Sequence, residues 1–196
     1  VFQYGHPVDR GFDEMVAVPR GGTYMPGITY YRTSEPLKTT KYVTDFWGDE
    51  ACSFIDRNKE KPFFLYLAFN AVHAAMEALE EDIVVLPGDQ RKGRMREIYT
   101  GMMTAMDRNV GRVLDSLEEN GLTENTIVIF LNDNGGGGHT EVYGEHSRNY
   151  ADNSPYRGYK NDLYEGGIRT PFYIKWPGRV KAGSTFSGKV SSMDVF

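Results

Sequence analysis

TIVIFLNDNGGGG, residues Thr126–Gly138, sets five apolar residues ahead of three polar ones and four glycines. Ile127–Leu131, mostly β-branched, read as a strand buried on both faces. Asn132, Asp133 and Asn134 follow directly. In an open α/β sheet, ligands collect outside the carboxyl ends of the parallel strands. A carboxylate and an amide placed there are hard oxygen donors, and the glycines admit a ligand close to the backbone. Asp-Asn-Gly is also ordinary turn chemistry. On these residues alone, a plain turn and a metal-binding turn both stand.

Upstream of that strand, Arg94–Glu119 carries Ile98, Met102, Ala105, Met106, Val110, Val113, Leu114 and Leu117 in steps of three and four. Such a stripe predicts a long helix lying on a sheet. Its methionines are core residues, and Asn120-Gly121 supplies the stop, with Gly121 suited to a left-handed C′ position. Glu77–Asp82 reads as an acidic surface excursion and Pro87-Gly88 as a turn. Phe63–Phe69 (FFLYLAF) is a second apolar run of strand length, and Asn70-Ala71-Val72-His73 places polar groups just beyond it.

Val43–Asn58 is predicted to be amphipathic, with Val43, Phe46, Trp47, Phe54 and Ile55 on one face. Cys52 within it packs as a small, partly buried side chain. Val1–Lys41, rich in Gly, Pro and Tyr, shows no sustained period and reads as irregular, with a turn at Asp9–Asp13 burying Phe12. Downstream, Gly135–Asn153 is a polar loop and Pro155–Gly167 a second one, centred on Arg157 and Lys160. Pro171–Trp176 is a third strand, the turn Pro177-Gly178 follows, and Ser192–Phe196 shows no helix or cap. Strand, helix, strand in this order predicts a right-handed βαβ unit, hence an α/β fold with a mostly parallel sheet.

A chain of 196 residues can bury one sizeable core, and length alone suggests one domain. Hydrophobic content of 40% and charged content of 25% are those of a soluble globular protein. The net charge of −5 gives no reason to expect nucleic acid or an anionic membrane as partner. No apolar run approaches the ~20 residues of a membrane span. The single cysteine excludes an internal disulfide framework and a multi-cysteine zinc site. No signal peptide is visible, and Val1 is not an initiator methionine, so the sequence does not exclude a leader that was removed or never included.

Three loops therefore carry polar groups: Asn70/His73, Asp133/Asn134 and Arg157/Lys160. If the strands are parallel neighbours, the first two meet at one edge of the sheet. An oxygen pair of metal-binding type, an imidazole and a cation suit a small tetrahedral dianion, with the metal and Lys neutralising charge and His donating a proton. A nucleophile is missing: no serine sits in a GxSxG elbow, and Cys52 lies inside a helix.

Lys61–Phe69 with His73, Tyr99–Gly136 and Arg157–Gly178 (RGYKNDLYEGGIRTPFYIKWPG) resemble the sulfatase family of the alkaline-phosphatase-like superfamily. Arg10-Gly11-Phe12-Asp13-Glu14 also looks like the segment that sulfatases carry after a GKWHLG-type motif. The resemblance implies an alkaline-phosphatase-like fold with helices on both faces of the sheet. It implies a parent that cleaves sulfate esters of a small molecule or polysaccharide, with formylglycine and calcium (or another divalent metal) as cofactors. Asp133 and Asn134 fall where the family places two metal ligands. Lys160 matches the lysine that contacts the sulfate. His73 matches the histidine that contacts the sulfate and protonates the leaving oxygen, although Val72 replaces the usual Pro and Ala74-Ala75 a Thr-Pro-like pair.

Other family elements are absent from these residues. There is no N-terminal Asp-Asp pair, no CxPSR-like motif supplying the formylglycine, and no Lys and His of the GKWHLG region; Cys52 in EACSFID is not that motif. The chain also ends where the family continues with Pro-Thr and a smaller C-terminal subdomain. Residues 1–196 are accordingly expected to be a partial catalytic domain, inactive alone and weak in calcium binding. A phosphoester or phosphonate hydrolase of the same superfamily is the alternative enzyme, and a non-catalytic truncated relative the alternative from another class. A periplasmic, secreted or lysosomal destination goes with the family. Arg157 reads as structural, pairing with Glu165; His139 and His146 read as surface histidines of the loop after the glycines, and His6 carries no function.

Overall fold

The computed structural model describes residues 6–18, 22–84, 87, 93–137, 141–142, 145–146 and 150–195. His139 and Gly88 lie outside the described residues. Contacts divide the chain into two compact units, Val1–Ser116 and Leu117–Phe196.

In the first unit the tyrosine-rich opening is more regular than its composition predicts. Strands β1 (Val16–Ala17), β2 (Thr29–Arg32) and β3 (Glu35–Lys38) form an antiparallel sheet in that order. A two-residue loop, Thr33-Ser34, joins the pair Arg32↔Glu35. Pro36, which argues against a central strand, is tolerated because β3 is an edge. Tyr30 of β2 is 1% exposed and packs on Phe46 and Trp47, with ring centroids 4.6 and 5.4 Å away. Phe12, expected to be buried, is 37% exposed beside Phe64.

Those two aromatic partners belong to α1 (Val43–Asn58), which has the predicted bounds. Helix α2 (Arg94–Glu119) also matches its predicted span. Two acidic side chains of α1 join the two helices. Arg108 pairs with Asp45 (2.9 Å) and Arg112 with Asp49 (2.5 Å), around a fully buried Asn109. The Asn109 amide donates to Asp45 Oδ1 and Ala105 O and accepts from Arg112. Burial pushes the Asp49 carboxyl up, but hydrogen bonds from Lys41 and Arg112 outweigh it and hold the group below its ordinary value. Asp82 is no surface residue: it is 2% exposed and paired with Arg108.

Phe63–Phe69 departs from the buried strand expected of it. The segment has no ladder partner among the described residues, and its side chains alternate between half-buried and exposed. An unbroken apolar run does not distinguish a strand covered on both faces from one covered on one.

In the second unit, Gly121 ends α2 with φ 68°, and the amides of Gly121 and Leu122 bond to Glu118 O and Leu117 O. These two bonds are those of a Schellman cap. Then come β4 (Val128–Leu131), the two-residue strands β5 (Glu141–Val142) and β6 (Glu145–His146), a one-turn helix α3 (Glu165–Ile168) and β7 (Phe172–Lys175). Strand β4 is half-buried along its length rather than covered on both faces. It pairs with β7 antiparallel, from Val128↔Lys175 to Leu131↔Phe172. Every ladder among the described residues is antiparallel, so the parallel neighbour expected for β4 is not among them. The ordering strand–helix–strand depended on Phe63–Phe69 being that neighbour. A 3-10 turn, Ser192–Val195, lies near the end where no structure was expected.

Candidate active site

Where β4 ends, the chain turns against the residues that lead into β7. The Asn132 amide bonds to Pro171 O (3.3 Å), and the Thr170 hydroxyl donates to Asn132 O (3.2 Å). Asp133 follows as an exposed side chain whose Oδ1 accepts the Asn134 amide (2.9 Å). Asn134 is half-buried and turns its Nδ2 onto Gly135 O (2.9 Å), so its Oδ1 is the oxygen left for another partner. One carboxylate and one amide oxygen are the hard donors that calcium takes, usually ~6–8 at a time. Among the described residues no group of three or more His, Cys, Asp or Glu could hold a metal. The pair therefore fits as part of a divalent-metal site, not as the whole of one.

Backbone packing holds this turn in place. Gly135 donates its amide to Gly167 O (2.9 Å), and a Cβ at Gly135 would sit 1.8 Å from Gly166 O. Gly166 is tightly placed as well, with an imagined Cβ 2.1 Å from Gly158 O. Its amide donates to Arg157 O (2.8 Å). The Lys160 amide donates to Gly136 O (3.0 Å). Asp133, Asn134 and Lys160 are thus brought onto one framework, made of the turn after β4, the loop 157–162 and α3.

Asn153, unmarked in the sequence reading, bridges the same pieces. Its Oδ1 accepts the Gly136 amide (2.9 Å), and its Nδ2 donates to Gly136 O (3.2 Å) and Gly158 O (3.1 Å). A single asparagine in a polar loop carries no periodic or motif signal, so nothing in the sequence marked it. Asp162 was missed for the same reason; its Oδ2 accepts the Tyr159 amide (2.9 Å). The expected Arg157–Glu165 pair does not form. Glu165 pairs with Arg169 (2.9 Å), four residues along the chain and so on the same face of a turn of helix. Arg157 lies over the Tyr164 ring, 3.7 Å from its centroid. His146 is the last residue of β6.

His73 belongs to the first unit, on a turn pinned from beneath by aromatic side chains. Its amide bonds to Asn70 O (2.9 Å). The Tyr24 hydroxyl donates to Asn70 O (2.5 Å) and His73 O (2.9 Å), and Trp47 Nε1 donates to Asn70 Oδ1 (2.8 Å). Glu77, past the turn, accepts from Thr23 Oγ1 and the Tyr24 amide, while the Tyr42 hydroxyl bonds to its carbonyl. Burial, then the neighbouring Tyr42, pushes the Tyr24 hydroxyl well above its ordinary value, and burial drives Tyr42 up to about 12. Both phenols therefore stay protonated donors. The exposed His73 ring places Nδ1 2.8 Å from Ala74 O. A carbonyl only accepts, so this contact assigns the proton to Nδ1 and leaves Nε2 as the nitrogen that takes and gives a second one.

Tyr24→Phe removes both carbonyl contacts of the hydroxyl while keeping the ring. It is expected to cost about 1 kcal/mol of stability, read as a lowered urea midpoint with an unchanged slope. An unchanged midpoint would mean that the two contacts do not hold the turn.

Cys52 packs within α1 with its Sγ 3.6 Å from Arg112 O. Burial pushes its thiol up, the opposite of what an attacking thiolate needs.

The fold is shared with a hydrolase family. The chain belongs to the sulfatases: the Sulfatase family model matches residues 3–196. It is 31% identical over 204 residues to the uncharacterized sulfatase YdeN of Escherichia coli (strain K12), covering 97% of this chain and 33% of that protein. Against the steryl-sulfatase of Rattus norvegicus it is 34% identical over 188 residues, covering 90% and 31%. A crystal structure of Ps i-CgsB in complex with k-i-k-neocarrahexaose matches with a TM-score of 0.86 at 34% identity, covering 97% of this chain and 45% of that one. The chain thus spans about a third of the length of these curated relatives. Its fold is the alkaline-phosphatase-like fold of sulfatases, in part. Sulfatases in general use a divalent metal and a formylglycine. Among the described residues no helix is long and apolar enough to cross a membrane.

Proposed function

We propose that the full-length protein is a sulfuric ester hydrolase acting on a sulfated saccharide. The observation that carries this reading is the hydrogen bond from the Lys160 amide to Gly136 O (3.0 Å). It joins a cationic loop to the turn that bears Asp133 and Asn134, three and two residues upstream of Gly136. Membership of the sulfatase family supports the chemistry. Likeness at 34% identity to Ps i-CgsB, solved with k-i-k-neocarrahexaose, supports a saccharide as the carrier of the ester.

Asp133 and Asn134 would hold calcium, or another divalent metal, through oxygen. When bound, the metal supplies positive charge to the sulfate oxygens and the family's formylglycine supplies the nucleophile. Lys160 adds a fixed cation for the same oxygens, where charge is redistributed as the ester breaks. His73, with Nδ1 committed to Ala74 O, gives its second proton from Nε2 to the leaving oxygen. A saccharide alcohol is a poor leaving group and needs that proton. A periplasmic, lysosomal or secreted destination goes with membership of the family.

The test is kcat/KM of the full-length protein, with calcium, on nitrophenyl sulfate and nitrophenyl phosphate. Faster turnover of the sulfate is expected. A preference for the phosphate would make the protein a phosphoester hydrolase of the same superfamily, and turnover of neither ester nor of a sulfated saccharide would make it a non-catalytic relative.

A further inference from the structure

We infer that Asn153 is a positioning residue: its side-chain amide fixes the turn carrying Asp133 and Asn134 against the loop carrying Lys160. The inference rests on the sulfatase reading above for what those residues do, but its geometry stands apart from it. Asn153 makes three contacts with two segments, accepting from the Gly136 amide (2.9 Å) and donating to Gly136 O (3.2 Å) and Gly158 O (3.1 Å). An N–H can only donate and a carbonyl can only accept, so all three contacts require this orientation of the amide. Gly136 O also receives the Lys160 amide (3.0 Å), and Gly158 is two residues before that lysine. One side chain therefore grips both ends of the connection between the oxygen pair and the cation.

No other side chain repeats this pattern of one acceptor and two donors at similar length. Aspartate has the shape but, ionised, has no hydrogen to donate, and its charge faces two carbonyl oxygens. Protonated aspartic acid regains one donor. Because small displacements of positioning groups cost up to about 10²-fold in rate, the predicted effect falls on turnover and depends on pH.

The experiment uses the full-length protein with calcium and two variants, Asn153→Ala and Asn153→Asp. At neutral pH, kcat/KM on nitrophenyl sulfate is expected to fall about tenfold or more in both. For Asn153→Asp the deficit relative to wild type should shrink as pH falls and the carboxyl protonates; for Asn153→Ala it should not. Deuterium exchange in peptides covering 134–137 and 157–162 should quicken in both variants at neutral pH. Unchanged exchange in these two segments would overturn the inference, as would an Asn153→Asp profile that parallels wild type at every pH. If wild type hydrolyses no sulfate ester, the proposed function fails on that result, and exchange alone decides the role of Asn153.

Discussion

His73→Ala in the full-length protein is expected to lower kcat/KM on an alkyl sulfate by about 10²–10⁴-fold, the range lost with a general acid. An activated nitrophenyl sulfate should lose far less. The difference follows from the leaving group: an alkoxide must be protonated as the bond breaks, whereas a nitrophenolate leaves without help. The structure adds a reason for the histidine to be competent in this role. Nδ1 is engaged with Ala74 O, so ring orientation and tautomer are set before substrate arrives. Lys160→Ala should behave differently, depressing both substrates alike, because in the proposed role its cation acts on the sulfate oxygens common to both. The measurement is kcat/KM for both variants on both esters. Equal losses by His73→Ala on the two substrates would remove the leaving-group role.

A methyl group added at position 135 is expected to be as damaging as any single substitution in the second unit. In Gly135→Ala the new Cβ would meet Gly166 O at 1.8 Å, the Gly166 carbonyl carbon at 2.8 Å and Gly167 Cα at 3.1 Å. All three are backbone atoms, so no rotamer change relieves the clash. Helix α3 cannot withdraw freely either, since the Gly166 amide is bonded to Arg157 O. The turn must move away, and with it go the bonds Gly135 N–H to Gly167 O and Lys160 N–H to Gly136 O. Overpacking of this kind costs roughly 1–3 kcal/mol, and the displaced site should lose about 10²-fold in kcat/KM. Gly111→Ala is the control: nothing lies within 4 Å of its Cβ, and in a helix interior alanine is favoured by up to ~1 kcal/mol. Opposite shifts in Tm are therefore expected from the same chemical change. An unchanged Tm and activity in Gly135→Ala would contradict the close backbone approach.

How far the sequence could be read depended on whether the signal was local. Both long helices were legible because an apolar stripe repeats over several turns and a glycine with φ 68° stops the second. Asp133, Asn134 and Lys160 were legible as a motif, and the structure joins them through Gly136. The direction of strand pairing was not legible. FFLYLAF has the composition of a strand but no ladder, and PFYIKW pairs with β4 antiparallel, facts decided by partners distant in sequence. The small N-terminal sheet was missed because its strands are two to four residues long and one contains proline. Buried polar contacts gave the least warning. Asn109 sits in the middle of the buried face of α2, where periodicity counts only apolar residues, and Asp82 lies in a run that reads as surface.

Lys160 is anchored by its own peptide amide, which any replacement except proline preserves. Scaffold and charge are therefore separable at this position. Exchanging the ammonium for a guanidinium, a thioether or a chemically installed aminoethyl-cysteine leaves the anchoring bond as it is. Position 160 is in this sense a socket, in which charge, reach and basicity can be varied one at a time and their separate contributions to the proposed sulfate recognition compared on an unaltered frame.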